Sequence, residues 1–325
     1  MQRRTFLKLG TGAALASSVG LTGTTWAAGK EIVYLTPGLD LPFWRYLSKG
    51  IEDTVKAQGY GFQVLDSHNS AQTQLQNAQD SISRGIAGLV LSPTDSSTAP
   101  SVLSLAQQAK IPVVIGDIGT NSGEYAAFIT SNNYKGAYDV GEILAADLKK
   151  KGWEKNSVGI IAISQARKNG QARTKGFLDG LKAGGFTGKQ AGLQQMQSYT
   201  AAETFKFVQD MLTANPDMRG LFVQTDQPSV GALRAIKAAR RDGKVLLAAF
   251  DGIPEFIKLI ESGQIQVDGM QQPYLMGVTS GQALLEVLAG KTPTREIQVP
   301  ILAITEQNIK EKLPTIKKTV FANEV

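Results

Sequence analysis

The stretch IAGLVLSPTDSSTAPSVLSLAQQAKIPVVIGD, residues 86–117, decides how this chain is read. It holds a short apolar run at 88–91, a polar turn at Ser92-Pro93-Thr94-Asp95, a segment of helical period at 101–109, and a second apolar run at 113–115 that stops just before Asp117. Two runs too short to be helices, flanking a helix, describe a βαβ unit with parallel strands buried on both faces. The same alternation continues outward in both directions. Strands are expected at 32–36, 62–65 and 127–129, then in a second series at 158–163, 192–196, 220–223, 245–250 and 266–270. Helices fill the intervals, among them 42–58, 134–151, 171–183, 228–240 and 275–289. Ten strands would make an unusually wide sheet, so the α/β fold is expected to split into two similar lobes, with 130–133 as a candidate hinge.

The chain has 325 residues, 42% hydrophobic and 19% charged, which suits a globular protein with room for two domains. Without cysteine there is no disulfide, thiolate metal site or cysteine nucleophile, and His68 alone cannot build a multi-histidine site, so no metal or cofactor is expected. Residues 1–28 read as an export signal: basic residues at Arg3, Arg4 and Lys8, a Gly/Ala/Ser/Thr-rich apolar run, and small residues at Ala27 and Ala28. The Arg3-Arg4-Thr5-Phe6-Leu7-Lys8 start resembles the twin-arginine type, which implies export to the periplasm in a folded state. Those three are the segment's only charges, so half of the formal +6 leaves with them. The modest remainder argues against nucleic acid as a partner.

In open parallel sheets, ligands bind beyond the carboxyl ends of the strands. The residues at those ends are chemically biased here: Leu41-Pro42-Phe43-Trp44, Asp117, Tyr199, Gln224-Thr225-Asp226, Asp251 and Gln271-Gln272-Pro273. Aromatic faces suit the C–H faces of a sugar ring, while carboxylates and amides suit its hydroxyls. The pattern points to a neutral, hydroxyl-rich small ligand. At these positions, and through Ile111-Pro112-Val113-Val114, Arg173 with Gly176-Phe177, Leu212-Thr213-Ala214-Asn215-Pro216-Asp217 and Phe250-Asp251-Gly252, the chain resembles the periplasmic sugar-binding proteins of the ribose-binding type, the soluble receptors of ABC importers.

The resemblance implies two Rossmann-like lobes with parallel sheets joined by a three-crossover hinge, the type I periplasmic binding protein architecture. The N-terminal lobe would take 29–131 and 272–300, and the C-terminal lobe 132–271 and 301–325. Carried over position by position, Phe43 and Trp44 would stack on the ligand and Tyr199 would approach it from the other lobe. Asp117, Asp251 and Gln271 would bind its hydroxyls, with Gln171 and Thr225 completing the site. The chain departs from the pentose pattern at Leu41 and Thr225, each in place of an asparagine, and at Ile118 and Gln171, each in place of an arginine. These changes predict a more apolar, donor-poor pocket for a deoxy or methylated sugar, a polyol or another small polar metabolite. Implied partners are the small ligand and an inner-membrane ABC permease, with the receptor a monomer.

Simpler readings exist for the same residues. Asp95 and Asp226 read as helix caps, and Arg173 as paired with backbone or acid rather than with ligand. No G-x-S-x-G elbow, P-loop or dinucleotide fingerprint occurs, so an enzyme is not expected. The alternatives to transport are a ligand-binding sensory protein that docks on a sensor kinase or chemoreceptor, and a secreted glycoside or nucleoside hydrolase.

Overall fold

The computed structural model describes residues 30–325. The export-signal reading of residues 1–28 therefore lies outside the described residues. Twelve strands and ten helices make two six-stranded sheets among the described residues. In chain order, β1 (Glu31–Thr36), β2 (Gly61–Asp66), β3 (Gly88–Leu91), β4 (Val113–Gly116) and β5 (Ala127–Ser131) enter the first sheet. The second takes β6 (Ser157–Ala162), β7 (Lys189–Gln195), β8 (Met218–Val223), β9 (Leu246–Phe250) and β10 (Val267–Met270). The last two strands, β11 (Glu296–Val299) and β12 (Leu302–Thr305), join the first and second sheets respectively.

The orders β11-β5-β4-β3-β1-β2 and β12-β10-β9-β8-β6-β7 are the same arrangement used twice. Central strands such as β3, β4 and β9 are buried along their whole length, because helices cover both faces of each sheet. The chain passes between the sheets three times. It leaves β5 at Asn132 for α4 (Asn133–Lys150), which packs on the second sheet. It returns after β10 at Gln271-Gln272 into α9 (Pro273–Leu288), which packs on the first, and it crosses again at Pro300-Ile301 between β11 and β12.

Sequence reading missed β11, β12 and α10 (Ile309–Thr319). β11 and β12 are four-residue edge strands with weak hydrophobic patterning, and α10 contains Pro314. The sheets are also not purely parallel, since β12 runs antiparallel to β10. Only Pro300 and Ile301 separate β11 from β12, far too few for the crossover that a parallel strand requires.

Candidate functional site

Both sheets aim the C-terminal ends of their strands at one cleft. α1 (Pro42–Lys56) begins there, with Pro42 pre-set at the first helical position and Leu41 as the N-cap. Phe43 and Trp44 follow, 3% and 5% exposed, their rings edge to face at 4.8 Å. One side of each belongs to the first lobe's apolar core, and both also line the cleft.

Asp117 and Asp251 occupy matching places, one residue beyond β4 and β9. Each has a left-handed backbone, φ 62° and 77°, a conformation that Asp tolerates better than most residues. Each anchors it with its own N–H to the next strand, Asp117 to the Ile129 carbonyl at 2.8 Å and Asp251 to the Gly269 carbonyl at 3.1 Å. The duplicated fold thus brings one carboxylate from each lobe to the same cleft.

Their surroundings differ. Asp251 accepts from Gln271 Nε2 (2.8 Å) and Thr225 Oγ1 (2.9 Å), and from both terminal nitrogens of Arg173 at 3.2 and 3.1 Å. Its four lone-pair sites are occupied, so in this arrangement it organises its neighbours rather than offering the free acceptor the resemblance implied. Arg173 lies fully buried against the Phe250 ring at 4.1 Å and also donates to Asn133 Oδ1 and the Gln224 carbonyl. The simpler reading of Arg173, paired with acid and backbone, describes these contacts.

Asp117 has one oxygen engaged, Oδ2 accepting from Asn169 Nδ2 of the other lobe at 3.0 Å. Its Oδ1 is buried without a protein partner, as is Gln271 Oε1. Burial pushes the Asp117 carboxyl up to about 6; the Arg173 guanidinium opposes this and the charge of Asp251 reinforces it.

Seven of the eight expected residues meet at the cleft: Phe43, Trp44, Asp117, Tyr199, Thr225, Asp251 and Gln271. Gln171 does not. It is exposed, and its Nε2 donates to the Gln165 carbonyl at 2.8 Å. α5 (Lys168–Ala183) explains the correction: Asn169 and Arg173, four apart, share the face toward the cleft, and Gln171 midway between them points away. The expected loss of guanidiniums is corrected as well, because Arg167 and Arg173 both line the cleft. Sequence reading missed Arg167, Asn169 and Ile163 as lining residues. The signal available for the first two was helical phase, i and i+4 counted back from Arg173 for Asn169, with Arg167 capping the same helix.

Arg167 also bridges the lobes. Its Nε donates to the Thr94 carbonyl at 2.8 Å and a terminal nitrogen to Asn69 Oδ1 at 3.2 Å, while its guanidinium lies 5.1 Å from the Tyr199 ring centre. Lys168 N to Ser96 Oγ and Lys168 Nζ to the Thr120 carbonyl extend the seam. The lobes are therefore closed, over a cleft of about 300 Å3, at the small end of small-molecule sites. Asp95 caps the turn before α3 (Ala99–Gln108) by accepting from the Ser97 and Thr98 N–H groups, and Asp226 accepts from Gln227 N at the start of α7 (Asp226–Ala238).

Two matching α/β lobes closed over an enclosed, aromatic and carboxylate-lined cleft define a solute-binding protein. A family model described as periplasmic binding protein domain matches residues 32–292, and the chain belongs to that family. It is 30% identical over 302 residues to the ribose import binding protein RbsB of Salmonella typhimurium, covering 91% of this chain and 98% of that one. It is 29% identical to the D-apiose import binding protein of Paraburkholderia graminis, over 77% of this chain and 78% of that protein. Among solved structures, a carbohydrate transporter solute binding protein from Agrobacterium radiobacter in complex with D-arabinose shares the fold, with a TM-score of 0.83 at 23% identity, over 90% of this chain and 99% of that one. The Caulobacter myo-inositol binding protein bound to myo-inositol matches with a TM-score of 0.79 at 25% identity, over 88% and 96%.

Proposed function

We propose that this protein is a periplasmic receptor that captures a neutral sugar or sugar-like ring of monosaccharide size between its lobes and delivers it, unaltered, to an ABC permease. The observation that carries the reading is the pair of buried, unpartnered acceptors at the cleft, Asp117 Oδ1 and Gln271 Oε1. A buried acceptor without a donor is unfavourable, and ring hydroxyls supply donors. Phe43 and Trp44 offer aromatic surface to the ring's C–H faces. The charged residues lining the cleft balance, Arg167 and Arg173 against Asp117 and Asp251, which favours an uncharged ligand. Capture without chemistry is supported by the state of Asp251: glycoside hydrolysis uses two carboxyl groups, and here one of the two in the cleft is bound on all sides by Arg173, Thr225 and Gln271. The relatives' names, import binding proteins for ribose and D-apiose, support the permease as partner.

Calorimetric titration of the purified protein against a panel of pentoses, hexoses, deoxy sugars and cyclitols tests the reading. One class is expected to bind with micromolar or tighter affinity and to raise Tm, with Asp117→Asn weakening it at least tenfold. Binding of none, or turnover of the ligand that binds, overturns it.

A further inference from the structure

Most polar groups around the cleft are engaged with the protein itself. Arg173 forks onto Asp251, Arg167 reaches Thr94 and Asn69, the Thr225 hydroxyl donates to Asp251, and the Asn169 amide donates to Asp117. The cleft is richer in guanidinium than its sequence promised, yet both cations already have protein partners. Its two orphaned acceptors belong to Asp117 and Gln271.

Two aliphatic residues line the same cleft, Leu41 from the first lobe and Ile163 from the second. Leu41 stands at the N-cap of α1, where a side-chain oxygen normally accepts an orphan N–H of the first turn. Leucine has no such oxygen, and no side-chain bond caps this helix. In contrast, Ser70, Asn132 and Thr200 cap their helices in this way. Leu41 also packs against the apolar cores of both lobes. A local helix rule is thus set aside at a residue that faces the ligand space, and such departures concentrate at functional positions.

We infer that Leu41 and Ile163 make the protein selective for a deoxy sugar: a ring that donates hydroxyls to Asp117 and Gln271 and turns an edge bearing methyl or methylene, rather than hydroxyl, toward the two aliphatic side chains. The inference rests on the sugar-binding reading above and deepens it. A hydroxyl pressed against Leu41 and Ile163 loses its water and finds no acceptor there, whereas a methyl group gains contact. One such group in a hydrophobic site discriminates by about 10–200-fold.

The test is calorimetric titration with pairs that differ by one hydroxyl: D-fucose and D-galactose, L-rhamnose and L-mannose, D-quinovose and D-glucose, 2-deoxy-D-ribose and D-ribose. In the pair that binds, the deoxy member is expected to bind at least tenfold more tightly. Leu41→Asn is expected to fold with an unchanged or higher Tm, since Asn is a favoured N-cap, and to shift that ratio at least tenfold toward the hydroxylated member. Leu41→Val, which keeps the wall apolar, is expected to preserve the preference. Equal or tighter binding of the hydroxylated member, or an unchanged ratio in Leu41→Asn, overturns the inference and leaves sugar binding intact. Failure of every pair to bind overturns both.

Discussion

Asp226 is the residue whose chemistry is set most plainly by burial. It lies at the start of α7, fully buried, with Oδ2 unpartnered and Asp251 close enough to repel it. Burial first, and then the charge of Asp251, push its carboxyl up from 3.8 to about 7; the N–H groups of Gln227 and Phe43 offset part of this. A carboxyl raised in the folded state binds its proton more tightly there than in the unfolded chain. Its contribution to stability is therefore present below about pH 4 and is lost as pH rises to about 7. Asp226→Asn is expected to remove that decline, on the order of a few kcal/mol. Urea denaturation of parent and variant at pH 5 and pH 8 checks it: the gap between the two pH values narrows in the variant, and an equal gap in both proteins refutes it. Sequence reading placed Asp226 as a structural cap, which its bond to Gln227 N matches, but no sequence pattern announces that the carboxyl is sealed from water.

At the scale of elements, the helices that carry the site are held by close backbone contacts. α4 and α5 pack so tightly that a Cβ added at Gly180 meets the Tyr138 carbonyl oxygen at 2.0 Å, and one added at Gly176 meets the Tyr134 carbonyl oxygen at 2.1 Å. The first lobe repeats the device between α1 and α9, where a Cβ at Gly277 meets the Leu47 carbonyl oxygen at 2.1 Å. Alanine is the better helix former by about 1 kcal/mol, so propensity alone says Gly180→Ala stabilises. Backbone cannot yield as a flexible side chain does, and overpacking of this kind typically costs about 1–3 kcal/mol. Gly180→Ala is expected to lower Tm, read by calorimetry; a rise would show that the helices separate freely. The helices themselves were legible from their 3.6-residue period, but their facing glycines were not, because closeness between two helices depends on which faces the sheet turns together. Gln171 failed for the same reason. Its neighbourhood in sequence was right, yet helical phase gave the cleft to Asn169 and Arg173.

For the whole molecule, closure depends on the seam between the lobes as well as on a ligand. Arg167 donates across it to Thr94 and Asn69, and Ser96 and Lys168 join through backbone and hydroxyl. These bonds exist only while the lobes face each other, so they bias the equilibrium between open and closed forms. Arg167→Ala is expected to shift the ligand-free protein toward the open form, raising the radius of gyration in small-angle scattering, and to weaken ligand binding by the fraction of closed form lost. An unchanged scattering curve with unchanged affinity would show that the seam carries no energy.

Sequence alone determined the alternation of buried strands and amphipathic helices, the duplication into two lobes and the chemistry gathered at the strand ends, since period and turn residues are local properties of the chain. Tertiary structure decided which of those strand-end groups meet and which acceptors stay unsatisfied. It also gave β12 its antiparallel course and turned Arg167 into a clasp across the cleft. Those outcomes depend on distances between segments far apart in the chain, and hydrogen-bond partners and loss of water are fixed only when the segments come together.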